Sequence, residues 1–187
     1  NQTTFLIDRK DKNRSEKIRL NPFHSISEEQ LALQSNFRNQ LFYNRGKQHY
    51  TLSYSYSDMK ARNVLSFGYI AQHTLSHQFN FSHKIQNQWL LSLQANADQN
   101  RSESENFSSK NYRLKETLLN PKLSYLLDDN KRFDVFYQHQ KKNNSIGDME
   151  QLSQEKYGVA FTLTQNQKAA ITGEFNYFSN LFSGSPN

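Results

Sequence analysis

The chain has 187 residues, no cysteine, a formal net charge of +6 and only 35% hydrophobic residues, yet it carries 14 Phe and 10 Tyr. That length is one domain or part of one, the aromatic content argues against a disordered chain, and the missing cysteines exclude disulfides and thiolate metal sites. Six of the basic residues sit in DRKDKNRSEKIR, residues 8–19, without any nucleic-acid reading motif, so the run reads as a solvated flank and nucleic acid is not an expected partner.

Residues 1–29 are read as a basic N-terminal flank with a short strand or loop, and 30–187 as an antiparallel β-barrel segment. Helical periodicity is nearly absent, and alternation of apolar and polar side chains recurs from about residue 30 onward. Residues 31–43 form the first clear strand, with Leu31, Leu33, Phe37, Leu41 and Tyr43 on one parity, followed by a turn at NRGK. In the returning strand, 49–57, Tyr50, Leu52, Tyr54 and Tyr56 oppose Thr51, Ser53, Ser55 and Ser57. After a connection at SDMKAR, residues 62–84 are expected to make one strand of about twenty residues, with Leu65, Phe67, Tyr69, Phe79 and Phe81 on the apolar side.

Beyond the KIQNQ turn, residues 89–97 put Trp89, Leu91 and Leu93 opposite Ser92, Gln94 and Asn96. A polar loop spans 98–111, and the strand at 112–127 is expected to bulge or break at Pro121, which has no amide hydrogen to donate. DDNK turns the chain into 132–142, where Phe133, Val135 and Tyr137 alternate, and a loop at 142–153 leads to 155–165 with Val159, Phe161 and Leu163. NQ then turns it into the eighth strand, 168–180, with Ile171, Phe175 and Tyr177 in register.

The connections alternate between short (NRGK, KIQNQ, DDNK, NQ) and longer (SDMKAR, 98–111, 142–153), as in an up-and-down sheet with tight turns at one end. Strands of ten to twenty residues exceed what a soluble domain normally uses and suit the closed ladders that lipid demands. The expected architecture is therefore all-β, an up-and-down antiparallel sheet forming an outer-membrane-type β-barrel or part of one, with about eight strands. On this reading the apolar parity (Tyr50, Leu52, Tyr54, Leu65, Phe67, Tyr69, Phe79, Phe81, Trp89, Leu91, Leu93, Phe133, Val135, Tyr137, Val159, Phe161 and Leu163) faces the membrane.

The phrases RLNPFHS and NQLFYNRG, together with the Ser/Asn-rich aromatic strands over 17–187, resemble the C-terminal barrel-like region of very large exported proteins of Bacteroidota. The resemblance implies location in the cell outer membrane, with outer-membrane lipid and the remainder of a larger chain or other envelope proteins as partners. In those proteins further strands and an aromatic C-terminus follow, whereas this chain stops at FSGSPN, so the barrel is expected to be truncated here or completed by other residues.

Chemistry is a weaker expectation. His73 and His77 lie four residues apart, roughly 13 Å along a strand, too far to share one ion, and no metal or cofactor is expected. Ser76 and His77 are adjacent and so face opposite sides, which makes no nucleophile–base pair. A structural, transport or assembly role without catalysis is the leading expectation. A soluble antiparallel sheet acting as an adhesion or carbohydrate-binding module is the alternative, and an outer-membrane lipid-modifying enzyme is the second alternative.

Overall fold

A computed structural model describes the chain at residues 2–9, 30–44, 49–65, 68–128, 130–146, 150–165 and 169–184. Nine strands follow one another: β1 (Gln2–Arg9), β2 (Gln30–Tyr43), β3 (Tyr50–Leu65), β4 (Gly68–Lys84), β5 (Trp89–Ser104), β6 (Tyr112–Asp128), β7 (Lys131–Asn144), β8 (Glu150–Gln165) and β9 (Ala169–Gly184). They form one antiparallel sheet in strict chain order, so every strand pairs with its sequence neighbours. The all-β, up-and-down architecture is thus the observed one, with β1 added to the eight expected strands. Most of the basic flank, most of the NRGK turn and the NQ turn fall outside the described residues, as do RLNPFHS and Phe67.

The expected connection at SDMKAR is instead the second half of β3. Its charged residues keep the tyrosine parity, and they pair straight across to β4, Asp58 with Leu75, Lys60 with His73 and Arg62 with Ala71. The chain reverses between Leu65 and Gly68, where Gly68 takes a φ of 112° that glycine adopts without a Cβ penalty. Tyr69 therefore pairs with Val64, and Leu65 with Gly68, which places Leu65 on the opposite parity from the other proposed membrane-facing residues. The same persistence of pairing extends β5 to Ser104 and starts β8 at Glu150, shrinking the expected loops. Hydrogen bonds in a ladder outweigh the loop-like polarity of NRSES because each added pair satisfies backbone groups.

Pro121 does not bulge the sheet. It pairs with Leu93 on β5, and the β6–β7 register is the same on either side of it, Leu119 with His139 and Lys122 with Phe136; the β6–β7 pairing itself is interrupted at Asn120 and Pro121, as a residue with no donor requires. A register shift comes later, between Leu126 and Asp128, beside the tight turn to Lys131.

The sheet is strongly sheared. One straight row of partners runs Tyr50, His83, Leu91, Leu123, Val135, Val159 and Phe175. β3 begins on that row, whereas five strands later β8 continues six residues past it to Gln165. At the other end, the row Met59, Thr74, Asn100, Leu114 and Asn144 marks the end of β7, while β3 runs six residues further. Both rims step the same way, by a little over one residue per strand. With a rise of ~3.4 Å per residue and ~4.8 Å between strands, the strands incline by about 40° to the normal of the rim.

The sheet is not closed: β1 and β9 are its edges and run in the same direction, so a direct seam between them would be parallel. No second layer packs on it among the described residues. Among the described residues only Leu33 and Ala71 are buried hydrophobics, and Phe161, Phe175 and Leu181 stand 46%, 72% and 72% exposed. A sheet normally buries its apolar face against another element; this one presents it.

Candidate functional site: two faces with a divided outer surface

Directly opposed residues of an antiparallel pair share a face, so the register sorts every described strand residue. Tyr50, Leu52, Tyr54, Tyr69, Phe79, Phe81, Trp89, Leu91, Leu93, Phe133, Val135, Tyr137, Val159, Phe161 and Leu163 all fall on one side, here called the apolar face. Cross-strand aromatic contacts tie it together: Trp89 and Tyr125 lie 4.7 Å apart between ring centroids, Tyr137 and Tyr157 4.9 Å, and Tyr56 and His77 5.1 Å. Such pairs stabilise by about 0.5–1.5 kcal/mol beyond burial. A shallow apolar hollow of about 450 Å³ opens on this face against Leu91, Leu123, Val135, Val159 and Phe175.

Two glycines make room for rings, one on each face. Phe161 opposes Gly173, and a Cβ there would lie 2.1 Å from the Phe161 ring; on the other face Phe136 opposes Gly158, with a Cβ 2.3 Å from its ring. In each pair the ring lies over the residue that has no side chain.

The opposite face carries hydroxyls, amides and paired charges. Thr51 and Ser82 hydroxyls meet at 2.6 Å, and the Asn80 amide donates to Ser53 Oγ at 3.3 Å. Arg132 donates to Ser124, which is fully buried, and to Asp134, while Lys142 approaches Glu116 at 3.5 Å and Lys156 approaches Glu174 at 3.2 Å. A groove of about 520 Å³ runs along this face past Thr51, Ser53, Asn80, Ser82, Ser92 and Lys122.

The apolar face is itself divided along the strands. The apolar run covers Leu75–His83 on β4 and Trp89–Ala97 on β5, nine residues each. Past it, on the same parity, come Asp58, Lys60, Arg62, His73, Gln99, Arg101, Glu103, Arg113 and Lys115. Tyr56 marks the border on β3 and Tyr157 on β8, yet Tyr157 lies in the row of Leu52, four residues lower. The border drifts with the rims.

His73 is taken up by Asp58, Nε2 to Oδ1 at 2.8 Å, and His77 Nδ1 by the Tyr54 hydroxyl at 2.7 Å. Among the described residues no three His, Cys, Asp or Glu side chains gather as a metal would require, and no helix is long and apolar enough to cross a membrane. Ser53 and Ser92 belong to the polar face and the histidines of β4 to the apolar one, so a cross-strand Ser–His pair from these positions does not form.

Sequence reasoning missed the charged border in part because it assigned SDMKAR and 98–111 to connections; Arg113 and Lys115 lay in the expected strand 112–127, but their row-mates did not. The available signal was parity: Asp58, Lys60 and Arg62 continue the register of Tyr50 to Tyr56 without a skip.

No family model, curated protein or solved structure matches the chain.

Proposed function

We infer that the chain is a wall segment of an outer-membrane-type β-barrel, with the apolar band toward lipid and the Ser/Asn/Gln face toward a water-filled lumen. The observation that carries this reading is a single-layer sheet whose continuous apolar face is uncovered while both rims incline by about 40°, within the range of transmembrane barrels. Nine residues at ~3.4 Å rise, tilted by that angle, cover about 21 Å of height, close to the ~25 Å apolar band of such barrels. Tyr43, Tyr50, Trp89 and Tyr125 form an aromatic girdle at the turn rim, and Tyr56, Tyr137, Tyr157 and Tyr177 one at the other border.

In this reading the partners are outer-membrane lipid and the strands that complete the wall. β1 and β9 run the same way, so antiparallel closure takes further strands from the remainder of a larger chain or from other envelope proteins. The role is structural, in transport or in assembly, without catalysis, and the location is the cell outer membrane.

Trp89 is the single tryptophan, which makes the test direct. Refolded with phosphatidylcholine vesicles, the chain is expected to show Trp89 emission quenched by bromine-labelled lipid chains, and heat-modifiable gel migration. Unquenched Trp89 in a chain that stays monodisperse without detergent would overturn the reading and favour the adhesion or carbohydrate-binding module.

A further inference from the structure

The charged border of the apolar face is one-sided in sign. On the described strands Lys60, Arg62, Arg101, Arg113, Lys115 and Lys141 face only Asp58, Glu103 and Glu155 on that parity beyond the apolar band, so the border is net positive. The polar face, by contrast, matches Arg132 with Asp134, Lys142 with Glu116 and Lys156 with Glu174. At the turn rim the apolar face carries Lys131, which has Asp128 at 3.4 Å. Among the described strand residues, excess positive charge therefore gathers at one border.

Within that border Lys60, His73, Arg101 and Arg113 oppose one another in a single row across four strands. Like charges set directly opposite destabilise a sheet. Asp58 relieves one end, approaching Lys60 at 3.0 Å and His73 at 2.8 Å, and Glu103 binds Arg101. Three cations are left without such relief: among the described residues Arg113, Lys115 and Lys141 have no carboxylate in ion-pair range, and the buried Arg113 Nε has no hydrogen-bond acceptor. These three also step down the sheet with the tilted border. Lys115 is two residues from Arg113 toward the apolar band, and Lys141 lies in the next row.

We propose that Arg113, Lys115 and Lys141 bind the phosphate groups of an anionic lipid, fixing which bilayer surface this border meets. The proposal rests on the membrane reading above. The cations lie just past the apolar band, at the depth where lipid phosphates lie, and a phosphate supplies the negative charge that Arg113, Lys115 and Lys141 lack within the sheet. Adjacent cations on one strand face are ~7 Å apart, a spacing that one or two phosphates span.

The full chain is to be refolded with phosphatidylcholine vesicles and with the same vesicles containing phosphatidic acid, reading partition and Trp89 quenching. Wild type is expected to prefer the phosphatidic acid vesicles. Each of Lys115→Gln and Lys141→Gln, at exposed positions, reduces that preference roughly 5-fold, as does Arg113→Gln. A control set on the polar face, Arg38→Gln with Lys122→Gln, leaves it unchanged, and inorganic phosphate at matched ionic strength does not compete. Insertion into both vesicles without preference overturns the basic-border proposal while leaving the membrane reading intact. Equal loss from the polar-face control, or displacement by inorganic phosphate, overturns it as well. Failure to insert into either vesicle removes the membrane reading, and the lipid proposal with it.

Discussion

Leu93 and Gln94 are neighbours in β5, yet they answer to different surroundings. Leu93 lies between Phe81 and Pro121 on the apolar face; Gln94 lies between Asn80 and Asn120, against the groove of the polar face. Both are opposed by residues of β4 and β6 in one unbroken register, so the contrast lies in which face each side chain joins. In a water-soluble sheet the apolar side would be the dry one, packed against a second layer. Here, among the described residues, that side has no layer on it, while the polar side carries the denser hydrogen-bond network, an inversion that fits the proposed wall with water inside and lipid outside.

The sharpest way to break this contrast is a charge on either side of it. Leu93→Arg is expected to cost about 2–4 kcal/mol in vesicles, the range for a cation near the bilayer midplane, and Gln94→Arg far less. Denaturant titration of the two vesicle-folded variants measures the difference; equal costs would show that the faces do not meet different media. Next in size is the packing of rings over glycine. Gly158→Ala brings a Cβ to within 2.3 Å of Phe136 and 2.5 Å of Asn176, and should destabilise by about 1–3 kcal/mol. Adding Phe136→Leu should recover much of that loss, a non-additivity that a double-mutant cycle reads directly.

A smaller effect sharpens the polar side. Ser124→Ala removes the acceptor for Arg132 at a fully buried position and should cost about 1–2 kcal/mol in the same titration, Asp134 still holding the guanidinium. The smallest lies at the turn rim. The backbone N–H of Asn130, and then Lys131, hold the Asp128 carboxyl below the usual carboxylate range. Its folded-state pKa is depressed, so its contribution is present above the ordinary carboxylate pKa and fades as pH falls through the depressed value. Hydrogen-exchange protection at the β6–β7 turn, taken relative to the intrinsic exchange rate at each pH, should therefore fall in acid, and Asp128→Asn should flatten that dependence.

Most of the architecture was legible because alternation is a local signal. Tyr50, Leu52 and Tyr54, or Val159, Phe161 and Leu163, declare their shared parity without any knowledge of a partner strand. What misled the reading was polarity mistaken for a turn. Asp58-Met-Lys-Ala-Arg has loop composition, but its alternate residues meet Leu75, His73 and Ala71 across β4, and pairing overrides composition. Pro121 was read half correctly: it makes no bulge and the register holds on both sides, but the β6–β7 pairing is interrupted at Asn120 and Pro121, where the donor is missing. The candidate site was half visible: the shared parity of the apolar residues is a local signal, whereas the basic border lay partly in segments assigned to connections (Asp58, Lys60, Arg101, Glu103) and partly in expected strands (Arg113, Lys115, Lys141), whose gathering needs the register.

By itself, then, the order of residues determined that this chain makes long ribbons with one oily and one polar side, since parity depends only on spacing along the backbone. Only the tertiary structure decided the shear, the reversal at Leu65–Gly68 and the gathering of Arg113, Lys115 and Lys141 along one tilted border. Those depend on which residue of one strand stands opposite which residue of the next, and that register is a property of pairs of strands rather than of any single segment.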